Sequence, residues 1–382
     1  MTDTRTASPD ILLSLRDVRV TFRTADGVIT PVDGVSFDIV RGETLALVGE
    51  SGCGKSLTAL TILRLIDAPG RIEPGSSIRF DGREILTLGD KDLRAIRGRQ
   101  AAMIFQEPMT ALNPVYSAGE QIAEVVRTHS DGSRADAWAR AVAMLGAVGI
   151  PSPEIRAKQF PHQLSGGMRQ RVMIAIALVM NPSLLIADEP TTALDVTIQA
   201  QLLDLLRDAQ RARGASMLLI THDLGVVAES AQRVAVMYAG QIVEESPVAE
   251  LFASPQHPYT QGLLAAMPRA GTRRARLTTI PGTVPPPGAW PTGCRFADRC
   301  AHAWSRCTAE APALHRLGDG RSSRCHLVTE PERRNGDGVL ELRPHELGNS
   351  VPMAEELRPH ELGNSVPIAD VPVGDVPMAE AP

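Results

Sequence analysis

Aromatic residues are scarce in this chain, at 3% of its 382 residues. Proteins that bind single-stranded nucleic acid commonly stack bases on aromatic rings, so this class is disfavoured. Long apolar runs are also missing, because the longest covers only the nine residues Val172–Met180, about half of what a membrane-crossing helix needs. The first ten residues are polar, and no secretory signal is expected. The sequence therefore predicts a cytosolic chain that reaches a membrane only through a partner.

A surface for polyanions is missing as well. The net charge is −5, and residues 341–382 hold eight acidic residues against two arginines, which leaves the rest of the chain nearly neutral. No nucleic acid partner is expected from such a balance. The hydrophobic fraction of 43% and the charged fraction of 22% are ordinary for a soluble globular protein, and the length predicts two or three domains.

The motif that dominates the chain is G-x-x-x-x-G-K-S at residues 49–56, between an apolar strand-like run at 44–48 and a helical apolar pattern from Leu57. Strand, glycine loop and helix form the context of a phosphate-binding loop. The loop's N–H groups and the helix N-terminus cradle phosphate oxygens, Lys55 reaches the outer phosphates, and the Ser56 hydroxyl ligates Mg²⁺. The chain is predicted to bind a nucleoside triphosphate. The residues assigned to this loop are Gly49, Glu50, Ser51, Gly52, Cys53, Gly54, Lys55, Ser56 and Leu57.

Two alternating segments precede the loop and indicate half-buried antiparallel strands, one around residues 18–22 and one around 35–39, with a turn at 24–27. Phe22 on the first segment is either a base-stacking residue or a buried strand aromatic, and spacing alone favours neither. Behind the loop, buried strands at 101–105, 184–189 and 217–220 alternate with helical patterns. This alternation predicts a parallel sheet that is covered on both faces.

Polar residues follow these buried strands. Asp188 and Glu189 end one of them, and a pair of carboxylates at a buried strand end indicates function, since unpaired buried acids are costly. Thr221, His222 and Asp223 follow another strand.

These motifs resemble those of the nucleotide-binding subunits of ATP-binding-cassette transporters, over residues 13 to about 325. The matching elements are the phosphate loop at 49–56, Gln106, the L-S-G-G signature at 164–170, the pair Asp188-Glu189, the D-loop at 193–195 and His222. The resemblance implies an α/β, P-loop (RecA-like) nucleotide-binding domain with an antiparallel β subdomain and a helical signature subdomain, followed by a small Cys-rich C-terminal extension.

The resemblance also implies roles for single residues. Ser56, Gln106 and Asp188 are expected at Mg²⁺. Glu189 resembles the base that polarises the attacking water, while His222 resembles the group that holds the γ-phosphate. The catalytic set implied by the family is Glu189, His222, Gln106 and Lys55. Phe22 falls where the family stacks an aromatic ring on adenine.

The signature is expected to act on a second subunit. Ser165, Gly166 and Gly167 begin a helix, which is an anion site without a phosphate of its own. In the family this site contacts ATP held by the opposite subunit, together with the D-loop residue, here Asp195. Two subunits, identical or paralogous, are thus expected to sandwich two ATP molecules, to close on ATP and to open after hydrolysis.

A narrower resemblance points to dipeptide and oligopeptide importers, on the segments 163–171, 257–260 and 281–286 and on a Gly-Cys-x-Phe-x-x-x-Cys stretch at 293–300. It implies an ATPase at the cytoplasmic face of the membrane, two permease subunits that span the membrane, and indirectly an extracytoplasmic substrate-binding protein. Relatives that move nickel or glutathione remain an alternative. A soluble ATPase of DNA repair or ribosomes, an exporter and a regulatory module without turnover are disfavoured: long insertions, a second cassette and fused membrane helices are missing, and Glu189 and His222 are present.

Four of the five cysteines cluster within 32 residues: Cys294, Cys300, Cys307 and Cys325. A cytosolic chain disfavours disulfides, so the cluster indicates a metal site. The spacing lacks the C-x₂-C pairs of structural zinc, and the importer resemblance implies a [4Fe–4S] cluster, with zinc or unmetallated thiols as alternatives. This site is expected to be structural and to lie well away from the phosphate loop, with His302 and His326 as bystanders.

The predicted domains are an ATPase domain at 11–245 with its helical subdomain at about 107–180, an importer-type extension at 246–330, and a tail at 331–382. Within the tail, residues 341–355 and 356–370 form a tandem repeat. Seven prolines and an acidic charge from 341 onward predict a disordered segment.

Overall fold

The computed structural model describes residues 9–191, 196–267 and 279–335. Its strands are β1 (Ile11–Thr24), β2 (Gly27–Val40), β3 (Thr44–Val48), β4 (Gly70–Ile72), β5 (Ser77–Phe80), β6 (Arg83–Glu84), β7 (Ala101–Ile104), β8 (Leu184–Asp188), β9 (Ser216–Thr221), β10 (Arg233–Tyr238), β11 (Gln241–Pro247), β12 (His315–Gly318) and β13 (Arg321–Ser323). The repeat and most of the predicted tail lie outside the described residues.

The α-helices are α1 (Lys55–Ile62), α2 (Asp90–Ile96), α3 (Pro108–Ala111), α4 (Ala118–His129), α5 (Arg134–Ala147), α6 (Pro153–Arg156), α7 (Gly166–Leu178), α8 (Val196–Arg213), α9 (Leu224–Ser230), α10 (Val248–Ala253), α11 (Pro258–Ala265) and α12 (Ser305–Ala309). Short 3₁₀ turns lie at Ile85–Thr87, Pro161–Gln163, Ala297–Arg299, His326–Val328 and Pro331–Asn335.

The smaller sheet is antiparallel, with the order β2-β1-β5-β6 and with β4 paired to β1. β1 and β2 pair with Val18 opposite Val35 and with Phe22 opposite Ile29. The alternation in the sequence therefore correctly predicted this pair, because one face of each strand packs on the core while the other faces solvent.

The larger sheet has the order β12-β13-β11-β10-β3-β9-β8-β7. The five strands from β10 to β7 are parallel, as predicted. The other three strands are antiparallel, and the β12–β13 hairpin comes from the C-terminal extension and joins β11. The sheet is thus mixed, and the extension continues the sheet of the cassette.

Both faces of the parallel part of the larger sheet are buried. Leu185 and Leu219 face a core formed with α4, α5 and α7, while Ile186 and Leu218 face a second core shared with the antiparallel sheet and α1. Neighbouring residues of one strand therefore pack into different cores, which explains their uninterrupted apolar sequence. The helices α4, α5 and α7 pack on one another and form the helical layer that was predicted before Met180.

The extension shares an apolar cluster with the cassette. Tyr238 on β10, Tyr259 on α11 and Phe296 bury their rings together, with ring centroids 4.7 to 5.4 Å apart. This cluster lies against β3 residues Ala46 and Val48, directly before the glycine loop. The extension is consequently packed behind the loop and not apart from it.

Candidate functional site

The glycine loop runs from β3 to α1 and requires glycine where the chain passes closest to its neighbours. A Cβ on Gly49 would lie 2.2 Å from the Met237 carbonyl oxygen. A Cβ on Gly54 would lie 2.6 Å from the Pro31 carbonyl oxygen, and the φ of Gly54 is +106°, a value that side chains disfavour. These contacts explain two of the four invariant positions of the motif by packing, independently of a ligand. The loop itself lies at the carboxyl edge of the parallel strands, where α/β sheets bind ligands.

Lys55 is placed at the centre of the loop. Its ammonium donates to the carbonyl oxygens of Gly49 at 2.8 Å and Glu50 at 3.0 Å, and it lies 3.9 Å from the Cys53 sulfur. Only 5% of the residue is exposed. A buried ammonium that is bonded only to neutral acceptors can bind anionic phosphate oxygens. Ser51 and Gly52 are exposed at the mouth of the loop, and Leu57 is half-buried on α1.

Ser56 and Asp188 meet beside the lysine. The Ser56 hydroxyl donates to the Asp188 carboxylate at 3.0 Å. Burial raises the pKa of Asp188, and the Glu189 charge adds to this, while the hydrogen bond from Ser56 opposes it. A divalent cation would offset this cost, and hard oxygen ligands of this kind suit Mg²⁺.

Three of the predicted catalytic residues meet at Glu189: Glu189 itself, Gln106 and His222. The Gln106 amide donates to its carboxylate at 3.5 Å, and His222 Nδ1 lies 3.3 Å from the same oxygen, Oε2. Glu189 follows β8 with a φ of +44°, and its N–H donates to the Ile220 carbonyl at 2.9 Å. Such a backbone conformation is unfavourable for glutamate, and strained residues of this kind cluster at functional sites.

Phe22 is half-buried at the far end of β1. A Cβ on Gly70 would lie 2.7 Å from its ring, so the ring packs against β4 while it keeps an exposed part. The structure is thus compatible with both interpretations of this residue, packing and base stacking.

The signature is an exposed helix start. Ser165 caps α7, its hydroxyl accepts the Met168 N–H at 3.3 Å, and both Ser165 and Gly166 are exposed. A Cβ on Gly166 would meet no atom within 4 Å. Gly167 is half-buried, near Ile198 of α8. Asp195, the predicted D-loop residue, lies outside the described residues.

The four clustered cysteines line one small cavity in the extension, with apolar walls that include Phe296 and Leu327. Burial, together with the neighbouring thiols, raises the pKa of Cys300 to about 11 and of Cys325 to about 12. The four cysteines that line the cavity are Cys294, Cys300, Cys307 and Cys325. His302 and His326 line the same cavity, and His326 Nε2 lies 2.9 Å from the Glu310 carbonyl oxygen.

The geometry of this cavity does not by itself support the expected cluster. Within residues 9–191, 196–267 and 279–335, no three or more His, Cys, Asp or Glu side chains are arranged to hold a metal ion. The sequence also predicted that the site of the four cysteines lies well away from the phosphate loop, and for the cysteines themselves this stays a prediction. Arg299, next to Cys300, does reach the loop. Its guanidinium forms an ion pair with Glu50 of the loop at 3.0 Å. The spacing of the motifs predicts neither this ion pair nor the hydrogen bond from the Glu50 N–H to the Tyr259 hydroxyl.

A phosphate loop joined to an acidic pair, a glutamine and a histidine defines a P-loop nucleotide-hydrolysing protein. Residues 32–192 match the family described as ABC transporter, and residues 243–307 match the family described as Oligopeptide/dipeptide transporter, C-terminal region. The chain belongs to the ATP-binding subunits of ABC transporters, in the branch with this C-terminal region, and it is an ABC-type ATPase.

Curated relatives cover most of the chain. The Dipeptide transport ATP-binding protein DppD of Escherichia coli (strain K12) is 47% identical over 323 residues, which are 85% of this chain and 98% of DppD. The Oligopeptide transport ATP-binding protein AppD of Bacillus subtilis (strain 168) is 50% identical over 319 residues, 84% of this chain and 97% of AppD.

Solved structures confirm the cassette fold. The dimeric, post-hydrolysis structure of the ATP-binding cassette MJ0796 bound to ADP and Pi is similar with a TM-score of 0.56 and 28% identity, over 62% of this chain and 98% of that one. The structure of cbiO1 from Clostridium perfringens gives a TM-score of 0.53 and 27% identity, over 64% and 92%. In the part of the chain that the structure describes, no helix is both long and apolar enough to cross a membrane.

Proposed function

We propose that this chain is the ATPase subunit of a di- or oligopeptide importer, which pairs with a second ATPase subunit and drives two permease subunits at the cytoplasmic face of a membrane. An extracytoplasmic binding protein would deliver the peptide to the permease. The observation that carries the proposal is one chain with both a phosphate loop beside the Asp188-Glu189 pair and the oligopeptide-transporter C-terminal region. The relatives DppD and AppD, whose names specify dipeptide and oligopeptide transport, support the solute class.

For hydrolysis we propose the following division of work. Lys55 and the loop N–H groups bind the phosphates, and Phe22 stacks on the adenine. Ser56, Asp188 and Gln106 would hold Mg²⁺, which when bound would supply positive charge to the phosphate oxygens.

Glu189 then accepts the proton of the attacking water. His222, 3.3 Å from Glu189, is suited to hold the γ-phosphate beside that water.

The solute is tested by uptake in cells that contain the native transporter, with and without this chain. We expect loss of dipeptide or oligopeptide uptake, because ATP binding and hydrolysis power import. Uptake of nickel and of glutathione is measured in the same cells. If the cells lose uptake of nickel or of glutathione and keep peptide uptake, that solute is the one transported. If uptake of peptides, nickel and glutathione all stays intact, the chain does not serve an importer for these solutes.

A cluster of exposed apolar side chains favours a docking surface for the permease. Met109 and Val115 are 64% and 69% exposed, and Tyr116 is 50% exposed. Exposed large apolar residues in one segment mark interaction sites more often than single ones do. The segment begins three residues after Gln106, whose amide contacts Glu189, so a partner bound here would lie close along the chain to the hydrolytic site.

Val115→Glu should therefore reduce co-purification of the permease at least about tenfold, since a charge would have to be buried in the contact. ATP binding by the free subunit should not change. Val28→Glu is the matched control, because Val28 is 61% exposed on the antiparallel sheet. Equal recovery of permease with both variants would argue against this surface.

For the cysteine cavity we propose a [4Fe–4S] cluster, with Cys294, Cys300, Cys307 and Cys325 as its ligands. The support is chemical: four thiols line one buried cavity, and no disulfide joins the five cysteines of the described residues. A four-iron cluster also separates its ligands more widely than one tetrahedral ion does, so a single-ion arrangement is not required. The cation charge would compensate for burial of the thiolates.

Anaerobically purified full-length protein should be brown and contain about four irons per chain. Cys300→Ser should remove the colour, whereas Cys53→Ser, in the glycine loop, should keep it. Colourless protein with stoichiometric zinc would replace iron–sulfur by zinc. Protein without metal and with four titratable thiols in the extension would contradict both.

We further propose the division into an ATPase domain at 11–245, with its helical subdomain at about 107–180, an extension at 246–330 and a tail at 331–382. The sheet contact between β11 and β13 supports an extension that folds onto the cassette.

A further inference from the structure

An arginine of the extension, Arg299, forms an ion pair with Glu50 of the phosphate loop. Arg299 Nη1 and Nη2 donate to the two carboxylate oxygens of Glu50 at 3.0 and 3.1 Å. This is the bidentate geometry in which arginine binds carboxylates most strongly. The Arg299 side chain is only 5% exposed, so solvent screens the pair little on that side.

Glu50 has its remaining polar groups bonded as well. Its N–H donates to the Tyr259 hydroxyl at 2.9 Å, and its carbonyl oxygen accepts from the Lys55 ammonium at 3.0 Å. One residue thus connects two side chains of the extension to the lysine that is assigned to the outer phosphates. Movement of Glu50 would displace a hydrogen-bond acceptor of Lys55.

Arg299 and Tyr259, the two side chains from the extension, are each held by further contacts. Arg299 Nε donates to the Pro281 carbonyl at 2.8 Å, and its guanidinium lies 5.7 Å from the centroid of the Tyr238 ring. Burial lowers the pKa of Arg299, but hydrogen bonds to Glu50 and Tyr238 and the Glu50 charge outweigh burial and raise it, so the cation persists.

Tyr259 is fully buried, and its N–H donates to His257 Nδ1 at 3.0 Å. Burial lowers the pKa of His257 to about 3, so this ring stays a neutral acceptor at physiological pH. The hydroxyl of Tyr259 therefore projects from a fixed aromatic base toward the loop.

We propose that Arg299 and Tyr259 are positioning residues for ATP: the C-terminal extension holds Glu50, and through it the phosphate loop and Lys55, in the conformation that binds the triphosphate. The proposal deepens the nucleotide site of the proposed function and rests on its assignment of Lys55. A loop that is already ordered loses less conformational entropy on binding, so the contact acts on ATP affinity more than on the chemical step.

Arg299→Met should raise the KM for ATP and the Kd for a fluorescent ATP analogue roughly tenfold, the size of one lost charged hydrogen-bond pair. The kcat at saturating ATP should stay within about twofold, because the hydrolytic residues are untouched. Arg306→Met is the matched control, since Arg306 pairs with Glu310 and Glu330 at the surface of the extension. That variant should bind ATP as the unmodified chain does.

Tyr259→Phe offers a second variant that keeps the ring in its core and removes only the hydroxyl. It should weaken ATP binding severalfold without a change in the far-UV spectrum of the free protein. Glu50→Gln, Arg299→Met and the double variant complete a cycle in which the double variant should be no worse than the more damaging single one.

The proposal is overturned if Arg299→Met binds ATP as Arg306→Met does, or if the effects of Glu50→Gln and Arg299→Met simply add. It is also overturned if kcat falls in place of affinity. Hydrolysis by the unmodified chain, measured in the same assay, tests the ATPase separately: turnover without any effect at Arg299 removes the positioning role alone. No turnover would remove the proposed function.

Discussion

Glu189→Gln should lower ATP turnover by about 100-fold or more and leave ATP affinity unchanged or slightly tighter. General bases contribute about 10²- to 10⁴-fold to rates, and glutamine keeps the shape of the side chain but cannot accept the proton of the water. Removal of a negative charge beside the triphosphate does not weaken its binding. The measurement is phosphate release under saturating ATP, together with the Kd for a fluorescent ATP analogue.

Glu124→Gln is the control for this substitution, because Glu124 is an exposed glutamate on α4, far along the chain from the strand that carries Glu189. It should hydrolyse ATP normally. If Glu189→Gln retained nearly full turnover, Glu189 would be excluded as the base, and His222, at 3.3 Å, would be the next candidate.

Ser165→Arg should prevent ATP-dependent pairing of subunits and reduce turnover to near background, while one free subunit still binds ATP. The residue is exposed at the start of α7, and the free helix start is the place where a partner's phosphate would lie. A bulky arginine fills that space and blocks closure. Pairing is measured by size-exclusion chromatography with ATP in the Glu189→Gln background, in which hydrolysis is slow.

Ser133→Arg is a matched control, because Ser133 also caps a helix of the helical layer and accepts the Asp136 N–H. Loss of either cap costs about 1 kcal/mol of stability, so the two variants should be similarly stable. Normal pairing by Ser165→Arg, or loss of ATP binding by the free subunit, would contradict a site shared between subunits.

Local chemistry explains which features were predictable. The glycine loop, the helix start at Ser165 and the alternating strands β1 and β2 depend on residues that are close together in the sequence. Their patterns therefore indicate both structure and chemistry before any fold is known. The buried strands β8 and β9 were equally visible, since two-sided burial requires an unbroken apolar run.

The meeting of Gln106 and His222 at Glu189 had a weaker basis in the residues. Ends of parallel strands lie along one edge of a sheet, but the sequence alone does not order the strands. The family resemblance supplied the roles, and the fold brings Gln106 and His222 each within 3.5 Å of Glu189.

The extension was the least predictable part. Its hairpin strands, His315–Gly318 and Arg321–Ser323, are too short and too polar for a recognisable alternation, and they form because β11 offers an open edge. The contact between Arg299 and the phosphate loop was unpredictable for the same reason: nothing local to residues 294–300 reveals what packs behind them.

The nucleotide site from Gly49 to Ser56 could thus be identified from residues that are neighbours in sequence, because a tight turn and a helix start depend on local interactions. The contact between Arg299 and Glu50 joins residues that are 249 positions apart. A contact of this span depends on how the aromatic cluster around Tyr238 packs, and packing is a property of the whole core. The ion pair between Arg299 and the phosphate loop is therefore apparent only in the tertiary structure.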